Sequence, residues 1–469
     1  MRAATRNSPR RPVSTRPHSR GPARRVCYAT SIVNWYEQRN GPRRWPGPLS
    51  AAWQWEYMKP DLFAPARVQS TPHVMMVTHV LPYPPAAGNE IRIYKMLSWF
   101  RQRGYGITLV LKPLGDTEVP NECIVGLRSV VDQLHVFDNR FVPGATTRTV
   151  DLGLDDPALA QIQDGFCPAW FVDEVAAIAA DLQPDVVIAQ YVFMSRILQL
   201  PECADMLKVI DAHDLFCRKQ ATVEQYGIKN YGLSLTDDQE RNLLQRADVV
   251  LAIQRVEQDE IAELVPSRKV LLTSFDLVPQ QADAAAVVPG RVLIVASGNE
   301  FNVRGTQDFL DYTWPLVRQA CPDARLRVVG KVCREVTCDD PTVALLGFVE
   351  SLDTEYAEAE VVVNPCRVGT GLKIKTIEAL AWGKAHVAWP SAADGLRELG
   401  DVPAVIATDV VTFSNAIADI LRSHERRLAM QASSHAFIYE HFRAERVYGD
   451  LCAAIEARRP VGIREVQNG

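Results

Sequence analysis

The sequence predicts an α/β protein with two successive domains, each a parallel sheet covered by helices on both faces. Short apolar strands, such as the one that contains the run 361–363, alternate with longer segments of helical periodicity. The alternation restarts at Arg291, after an Ala- and Pro-rich stretch at 280–290 that we interpret as the interdomain linker. A chain of 469 residues is long enough for two domains of ordinary size.

The first domain is predicted to begin with a strand at 73–81, which a group of prolines ends. Asn89 is the predicted N-cap of the following helix, with Ile93, Leu97 and Phe100 at core spacing, and Gly104 ends it. The remaining predicted strands of this domain are 107–111, 185–191, 207–211 and 248–253, and its helices are 171–182 and 238–247.

The second domain repeats this pattern. Its predicted strands are 292–296, 325–329, 343–346, 361–364, 386–389 and 404–407, and a helix is predicted at 308–319. Helices rich in Ala, Leu and Arg finish the chain. Two Rossmann-like, doubly wound halves in succession are the simplest architecture that fits.

The segment GTGLKIKTIE at 369–378 is the most informative of the chain. It joins the strand at 361–364 to a helical pattern, an order that presents free backbone N–H groups and a helix N-terminus to an anion. Gly369 and Gly371 permit close backbone approach. Lys375 and Glu378 are three residues apart, so both reach the same side of the helix. The pattern predicts a nucleotide-sugar site, with phosphates at the glycines and lysine and ribose hydroxyls at the glutamate.

The bulk composition excludes several classes of protein. A formal charge of −5 gives no reason to expect a nucleic-acid partner. The ten cysteines are scattered, and the pair Cys333 and Cys338 has no partner pair at zinc-ligand spacing. No apolar run reaches the length of a membrane span. We therefore expect a cytoplasmic protein, either free or peripheral at the inner face of a membrane.

Residues 1–70 differ from the rest and are predicted to be a disordered extension. The first 36 residues hold eight arginines and no acidic residue, a composition that cannot bury apolar surface. Trp45, Trp53 and Trp55 follow and suit a lipid headgroup layer beside a basic tail. Two other interpretations stay open: an organellar transit peptide, and an upstream start codon with the folded protein beginning near Met58 or Met75.

The second half resembles the retaining GT-B glycosyltransferases of the group 1 (family 4) type. The nucleotide motif through Gly383 carries the resemblance most specifically, and the N-terminal half agrees more loosely through 81–92 and 211–214. The segments that carry it in the second half are 292–296, the stretch around Asn302, 324–330, 345–349 and 356–365. Together they place roughly residues 73–455 inside the family's pattern.

The resemblance implies GT-B architecture, in which two Rossmann-like domains face each other across a cleft. We expect an acceptor domain at 71–285, a donor domain at 286–440, and at 441–469 a helix that packs back toward the N-terminal domain, followed by a tail. The implied reaction moves a sugar from a nucleotide diphosphate sugar to a hydroxyl of a saccharide, lipid-linked or small-molecule acceptor, with retained anomeric configuration. It implies no cofactor and no required metal.

In the donor domain, the resemblance assigns the ribose hydroxyls to Glu378, and the alternative is a surface ion pair with Lys375. Lys375 is expected to face the diphosphate as a catalytic cation. Gly371, Leu372 and Lys373 would offer backbone N–H groups to the same oxygens.

Other donor-domain residues fit the family's pattern less closely. Thr370 stands where the commoner form of the family has a glutamate that contacts the donor sugar. Arg304 is expected to neutralise phosphate, whereas Lys331 is shifted from the usual position and fits a solvated surface lysine. Phe348 would flank the nucleobase, and an ordinary strand-end core aromatic fits it equally well.

In the acceptor domain, Gly88 would lie near the reacting centre, in a turn before the first helix. His213 would point into the cleft at the sugar, and a structural histidine is the alternative. Asp214 would orient His213 or cap the following segment. Arg92 would approach the diphosphate unless it is a surface arginine.

Two other functions share this architecture: an inactive nucleotide-binding relative, which Thr370 makes conceivable, and a nucleotide-sugar epimerase. The intact Lys375 and Glu378 pair favours donor binding, and His213 with Gly88 favours chemistry over binding alone. The sequence therefore predicts a glycosyltransferase, and it leaves the sugar, nucleobase, acceptor and oligomeric state open.

Overall fold

The computed structural model describes residues 71–144, 156–224, 233–281, 283–349, 351–368 and 372–458. The predicted extension at 1–70 lies outside the described residues. So do Gly369, Thr370 and Gly371 of the nucleotide motif.

The N-terminal domain is built on a parallel sheet that has seven strands within the described residues. They are β1 His73–Thr78, β2 Gly106–Leu111, β3 Gln133–Val136, β4 Val186–Gln190, β5 Leu207–Asp211, β6 Val249–Ala252 and β7 Lys269–Leu272. Their order across the sheet is β3-β2-β1-β4-β5-β6-β7. The strand order therefore reverses between β1 and β4, where a doubly wound sheet opens a crevice at its carboxyl edge.

The C-terminal domain has a second parallel sheet, with six strands among the described residues. They are β8 Arg291–Val295, β9 Arg325–Val329, β10 Val343–Gly347, β11 Val361–Asn364, β12 Ala385–Ala388 and β13 Val405–Ile406. Their order is β10-β9-β8-β11-β12-β13, which reverses between β8 and β11.

Helices cover both sheets. In the first domain they are α1 Gly88–Gln102, α2 Asn121–Arg128, α3 Pro157–Phe166, α4 Ala169–Leu182, α5 Phe216–Glu224, α6 Asp237–Leu244 and α7 Arg255–Leu264. The later ones are α8 Glu300–Asp308, α9 Trp314–Ala320, α10 Leu352–Glu358, α11 Ile374–Ala381, α12 Val410–Arg422, α13 His424–Phe442 and α14 Ala444–Ala457. A 3₁₀ segment, Val192–Gln199, follows β4, and a π turn, Phe309–Thr313, joins α8 to α9.

The predicted fold class is confirmed, and the local differences have physical causes. Strands β3 and β7 were not predicted because they are the two edges of the first sheet, where exposed positions interrupt the apolar run. Asn89 is not the N-cap of α1. The cap is Ala87, and the Glu90 carboxylate accepts hydrogen bonds from the backbone N–H groups of Ala86 and Ala87, both at 3.0 Å. The helix predicted at 308–319 covers the last residue of α8, the π turn and most of α9, and the helical stretch begins earlier, at Glu300.

The last helix, α14, lies on the N-terminal sheet although it follows the C-terminal domain in sequence. Tyr448 and Leu451 are fully buried in the core between β1, β2 and α1. Trp99 Nε1 donates to Cys452 Sγ at 3.4 Å, and the Tyr105 hydroxyl donates to Glu456 at 2.7 Å.

Gly330 ends β9 at a close crossing of two backbones. Its φ is +110°, and a Cβ atom there would lie 2.1 Å from the carbonyl oxygen of Ala296. We expect Gly330→Ala to lower the free energy of unfolding by about 2–4 kcal/mol, from backbone strain and a collision with an atom that cannot rotate away. Gly104→Ala is the matched control, because Gly104 has φ +73° but nothing within 4 Å of the added carbon. Urea unfolding should show the larger loss for Gly330→Ala, and equal losses would contradict the collision.

Candidate functional site

A recess opens at the carboxyl edge of the C-terminal sheet, where β8 and β11 lie side by side and the strand order reverses. It has about 250 Å³ of open space and is lined by Val295, Ala296, Asn302, Thr306, Asn364, Pro365, Cys366 and Lys375. Lys375 lies in the first turn of α11, so a cation and the positive end of a helix dipole share one wall. The arrangement suits a phosphate-bearing ligand.

Glu378 lies beside the recess and forms a small hydrogen-bonded group with two other side chains. Its Oε2 atom accepts from Lys375 Nζ at 2.9 Å and from the Tyr356 hydroxyl at 3.2 Å. The buried Tyr356 ring stacks on Trp382, with centroids 6.0 Å apart. Among the described residues no side chain or backbone group bonds to Oε1 of Glu378, so one carboxylate oxygen is left for a ligand. The ion pair with Lys375 exists, but the Glu378 side chain is only 19% exposed, unlike a solvated surface pair.

A second network fixes the recess wall to the start of α11, and the sequence did not reveal it. Asn364 accepts from the backbone N–H of Cys366 at 3.2 Å and donates to Thr376 Oγ1 at 3.2 Å. Thr376 Oγ1 donates to the carbonyl of Ala392 at 2.8 Å, and His386 Nε2 lies 3.3 Å from the same hydroxyl. The position of Asn364 directly after an apolar strand was the only available signal.

Arg304 and Phe348, which were expected to contact the phosphates and the nucleobase, both have exposed side chains. Arg304 is exposed and is not among the described residues that line the recess, so its expected role at the phosphates stays a prediction. The residues of α8 that face the recess are Asn302 and Thr306, which are four apart and share a helix face, while Arg304 lies between them on the opposite side. Phe348 is 76% exposed after β10, which excludes a core aromatic and leaves its ring accessible.

The nucleotide loop is only partly described. Lys373 precedes α11, and its carbonyl accepts from the N–H groups of Thr376 at 3.0 Å and Ile377 at 3.1 Å. Burial lowers the pKa of its ammonium group. Leu372 accepts from the N–H of Ile374 at 2.9 Å. The exposed Lys331 follows Gly330 outside the recess lining.

The facing edge of the N-terminal sheet carries two aromatic side chains in contact. Tyr191 follows β4 and His213 follows β5, and their rings stack at 4.1 Å with an angle of 6° between their planes. Both have left-handed backbone conformations, with φ +68° and +61°. Such conformations are costly for these residue types and concentrate at functional sites. The sequence did not identify Tyr191 as a site residue, because its position directly after a strand was the only feature that pointed to it.

His213 is held as a neutral imidazole. Its Nε2 atom lies 2.6 Å from Gln190 Oε1 and 3.5 Å from Asp211 Oδ2. Burial lowers the pKa of His213 to about 4 despite the neighbouring carboxylate of Asp211. A neutral ring can accept or donate a hydrogen bond to a sugar hydroxyl, but it is not a reservoir of positive charge near pH 7.

Gly88 lies where the two domains touch. It is the first residue of α1, and a Cβ atom there would lie 2.5 Å from Cδ1 of Ile374, the first residue of α11. The structure therefore brings the first loop of the acceptor domain to the helix that carries Lys375 and Glu378.

Two expected cleft residues have structural partners instead. Arg92 is fully buried and pairs with Asp211 at 2.7 Å, and it donates to the carbonyls of Thr273 and Ser274. It is therefore neither a diphosphate ligand nor a surface arginine.

Asp214 pairs with Lys219 at 2.5 Å, so it does not orient the His213 ring. It does not cap α5 either. The Glu240 carboxylate accepts from the first two N–H groups of that helix, those of Phe216 at 2.9 Å and Cys217 at 2.6 Å.

Three buried histidines predict a loss of stability in acid. Burial lowers the pKa of His79 to about 3 and those of His213 and His386 to about 4. Because an unfolded histidine titrates near 6.5, the unfolded chain binds more protons below that pH. The free energy of unfolding should therefore fall by about 1.4 kcal/mol per pH unit for each histidine as the pH drops from about 6.5 toward 4.

Denaturant titrations at several pH values test this expectation. His386→Gln should make the pH dependence less steep by the contribution of one histidine. The exposed His424→Gln is the control and should leave it unchanged. An unaltered slope in His386→Gln would show that this ring is already charged in the folded state.

The described residues contain neither a helix that could span a membrane nor a cluster of metal ligands. Within 71–458, apart from its undescribed gaps, no helix combines the length and apolarity needed to cross a bilayer. The same residues contain no group of three or more His, Cys, Asp or Glu side chains placed to hold a metal ion.

Comparisons with known proteins agree with this geometry. Residues 289–423 match the family described as glycosyl transferases group 1. No curated protein matches the chain. The HepE protein of Anabaena, solved with UDP, is similar in structure, with a TM-score of 0.58, 12% identity, and coverage of 82% of this chain and 100% of HepE.

Two further solved structures are similar over comparable lengths. A TarM variant of S. aureus, solved with fondaparinux, alpha-GlcNAc-glycerol and UDP, has a TM-score of 0.57 and 10% identity, covering 82% of this chain and 100% of its own. A glycosyltransferase of Rickettsia africae has a TM-score of 0.56 and 9% identity, covering 83% and 99%. At these identities the structural similarity establishes the fold, and the family match concerns the second domain. The chain is therefore a glycosyltransferase of GT-B fold, and its residues 289–423 match the group 1 family.

Proposed function

We propose that this enzyme transfers a sugar from a nucleoside diphosphate sugar to a hydroxyl-bearing acceptor, with retained anomeric configuration and without a metal ion. The observation that carries the proposal is the pair formed by Lys375 and Glu378 at the start of α11. Lys375 lines the recess, and the neighbouring Glu378 has one carboxylate oxygen, Oε1, to which no described group bonds. A cation suits the diphosphate of such a donor, and a free carboxylate oxygen suits the hydroxyls of its ribose.

In this proposal the diphosphate occupies the recess and the ribose hydroxyls bind Oε1 of Glu378. The exposed ring of Phe348 offers a face to the nucleobase. UDP is present in the HepE and TarM structures, and we propose uridine as the first nucleoside to test. The acceptor is a saccharide, a lipid-linked sugar or a small alcohol.

The reaction would take place between α11 and the N-terminal sheet edge. The bond from the anomeric carbon to the diphosphate oxygen breaks, and the acceptor oxygen forms a bond to the same face of that carbon. The acceptor proton moves to the departing phosphate. Lys375 stabilises the negative charge that develops on the diphosphate. The neutral ring of His213, held by Gln190, would hydrogen-bond the transferred sugar.

A panel of nucleotide sugars tests the proposal. Thermal unfolding of the full chain with UDP-, GDP- and ADP-linked sugars should reveal at least one stabilising donor. Product analysis by NMR should then show an α-linked product from an α-linked donor, in the presence of EDTA. Absence of stabilisation by every donor would refute nucleotide-sugar binding. An inverted product would refute retention, and loss of activity in EDTA would refute metal independence.

A further inference from the structure

The two domains also meet at a cluster of ionisable side chains that the proposed reaction has not used. We call it the junction cluster: Asp214, Lys219 and Glu257 from the N-terminal domain, and Lys373 and Asp394 from the C-terminal domain. The start of α7 touches the second domain here, because a Cβ atom at Gly395 would lie 2.5 Å from Oε1 of Gln254.

Glu257 is the unusual member of the junction cluster. It lies in the first turn of α7 and is only 6% exposed. Its Oε1 atom accepts from Gln254 Nε2 at 3.1 Å, whereas Oε2 is buried and has no partner among the described residues. A buried oxygen without a partner costs about 1–3 kcal/mol, and buried polar groups in native proteins nearly always have one. The side chain therefore lacks one interaction.

The neighbours of Glu257 connect both sides of the cleft. The ion pair of Asp214 and Lys219 interacts electrostatically with it, and Asp214 directly follows His213. On the other side, Lys373 is influenced by the charges of Asp394, Cys366 and Glu257. Lys373 is only two residues before Lys375. Glu257 thus interacts electrostatically with Asp214 of its own domain and with Lys373 of the other domain.

The ligand chemistry follows from the state of this carboxyl. Burial, followed by the charge of Asp214, raises the pKa of Glu257 to about 8. A protonated carboxyl has an O–H donor and a carbonyl acceptor, the same pair of functions as an alcohol. It suits a neutral hydroxyl, which can accept a hydrogen bond from the O–H and donate one to the carbonyl oxygen.

In the part of the donor domain that the structure describes, no buried carboxyl lines the recess. The recess lining contains no acidic residue, and none occurs in the sequence from 365 to 377. Asp394 is exposed, so water can satisfy it. We propose that Glu257 binds a hydroxyl of the transferred sugar through Oε2, so that the N-terminal domain supplies a sugar-recognising carboxyl. This inference rests on the proposed function and names a specificity-determining residue for it.

The test compares the affinity of a nucleotide with that of its sugar conjugate. Calorimetry on the full chain would use UDP with UDP-glucose and with UDP-N-acetylglucosamine, and GDP with GDP-mannose. In the wild type, at least one conjugate should bind more tightly than its own nucleotide. Glu257→Ala should remove about tenfold of that preference, the value of one hydrogen bond, while the Kd for the bare nucleotide changes less than about twofold.

Control variants separate sugar recognition from a structural role. Glu263→Ala changes an exposed glutamate on the same helix and should leave the preference intact. Glu257→Met keeps the shape of the side chain and should lose the preference as alanine does, which covers a failure of Glu257→Ala to fold. Glu257→Gln keeps a hydrogen-bond donor and an acceptor, so it should retain part of the preference for the sugar conjugate.

Each contrary result has a distinct meaning. If both apolar variants keep the wild-type preference for the conjugate, the inference is overturned. It is also overturned if a variant loses the same amount of affinity for the nucleotide and for the conjugate, which would indicate a structural role at the domain junction. A raised acceptor KM with unaltered donor affinity would overturn it in favour of acceptor binding. If no wild-type conjugate binds more tightly than its nucleotide, there is no sugar contact to assign to Glu257. If neither UDP nor GDP binds at all, the proposed function itself fails.

Discussion

Replacing Lys375 with alanine is expected to lower kcat by about 10²–10³-fold, the usual effect of removing one group that stabilises charge in a transition state. Among the described residues that line the recess, Lys375 is the only one with a cationic side chain, and the first turn of α11 adds its dipole there. The charge on the diphosphate grows as the bond to the sugar breaks. The lost interaction is therefore stronger in the transition state than in the bound donor, and kcat should fall more than donor affinity does.

Steady-state and single-turnover kinetics would separate these two effects. Lys375→Arg keeps the charge and should recover part of the rate. Lys269→Ala removes an exposed lysine at the edge of the first sheet and is the matched control. A Lys375→Ala enzyme with the wild-type rate would remove this residue from the mechanism.

Replacing Glu378 with alanine is expected to weaken nucleotide binding by about 10- to 100-fold, since hydrogen bonds to a charged group contribute about 1.5–3 kcal/mol each. The ribose specificity of this loss can be tested with 2′-deoxy-UDP. The wild type should prefer UDP, and Glu378→Ala should bind the two nucleotides equally. Such a double cycle isolates the contact between the carboxylate and the hydroxyl from other effects of the substitution.

Two variants guard against indirect effects of removing Glu378, which also holds Lys375 and Tyr356. Tyr356→Phe removes the hydroxyl that binds Oε2 and should preserve the preference for UDP, because Oε1 remains available. Glu398→Ala changes an exposed glutamate in the same domain and should behave as the wild type. A Glu378→Ala protein that still discriminates against 2′-deoxy-UDP would show that another group binds the ribose.

The sequence predicted the buried strands well because apolar residues make up most of each one. It did not reveal β3 and β7, since an edge strand has a less protected face and its pattern resembles that of a loop. The start of α8 was also missed. Its first turn is polar, and the capping side chain of Asn299 is visible only once the helix is known.

In the candidate site, too, the sequence revealed pairs that are close together along the chain and missed pairs that are far apart. Lys375 and Glu378 are three residues apart on one helix, so spacing alone brought them together. Arg92 was assigned to the cleft because its partner, Asp211, is 119 residues away in the sequence and could not be inferred. Arg304 is not among the described residues that line the recess, because its position on the helix face depends on where α8 begins, and the sequence did not show that start.

The return of α14 to the N-terminal sheet means that the polypeptide passes between the two domains twice. The two passages lie side by side, because the backbone N–H of Leu277 donates to the carbonyl of Phe442 at 2.7 Å. Phe275, Leu277 and Phe442 are buried there against Ile377 and Leu380 of α11. Because the two connections are adjacent and covalent, a relative movement of the two domains would be a rotation about this point, which we call the hinge. The hinge packs on the helix that carries Lys375 and Glu378, which places the donor site close to the axis, where rotation displaces atoms least.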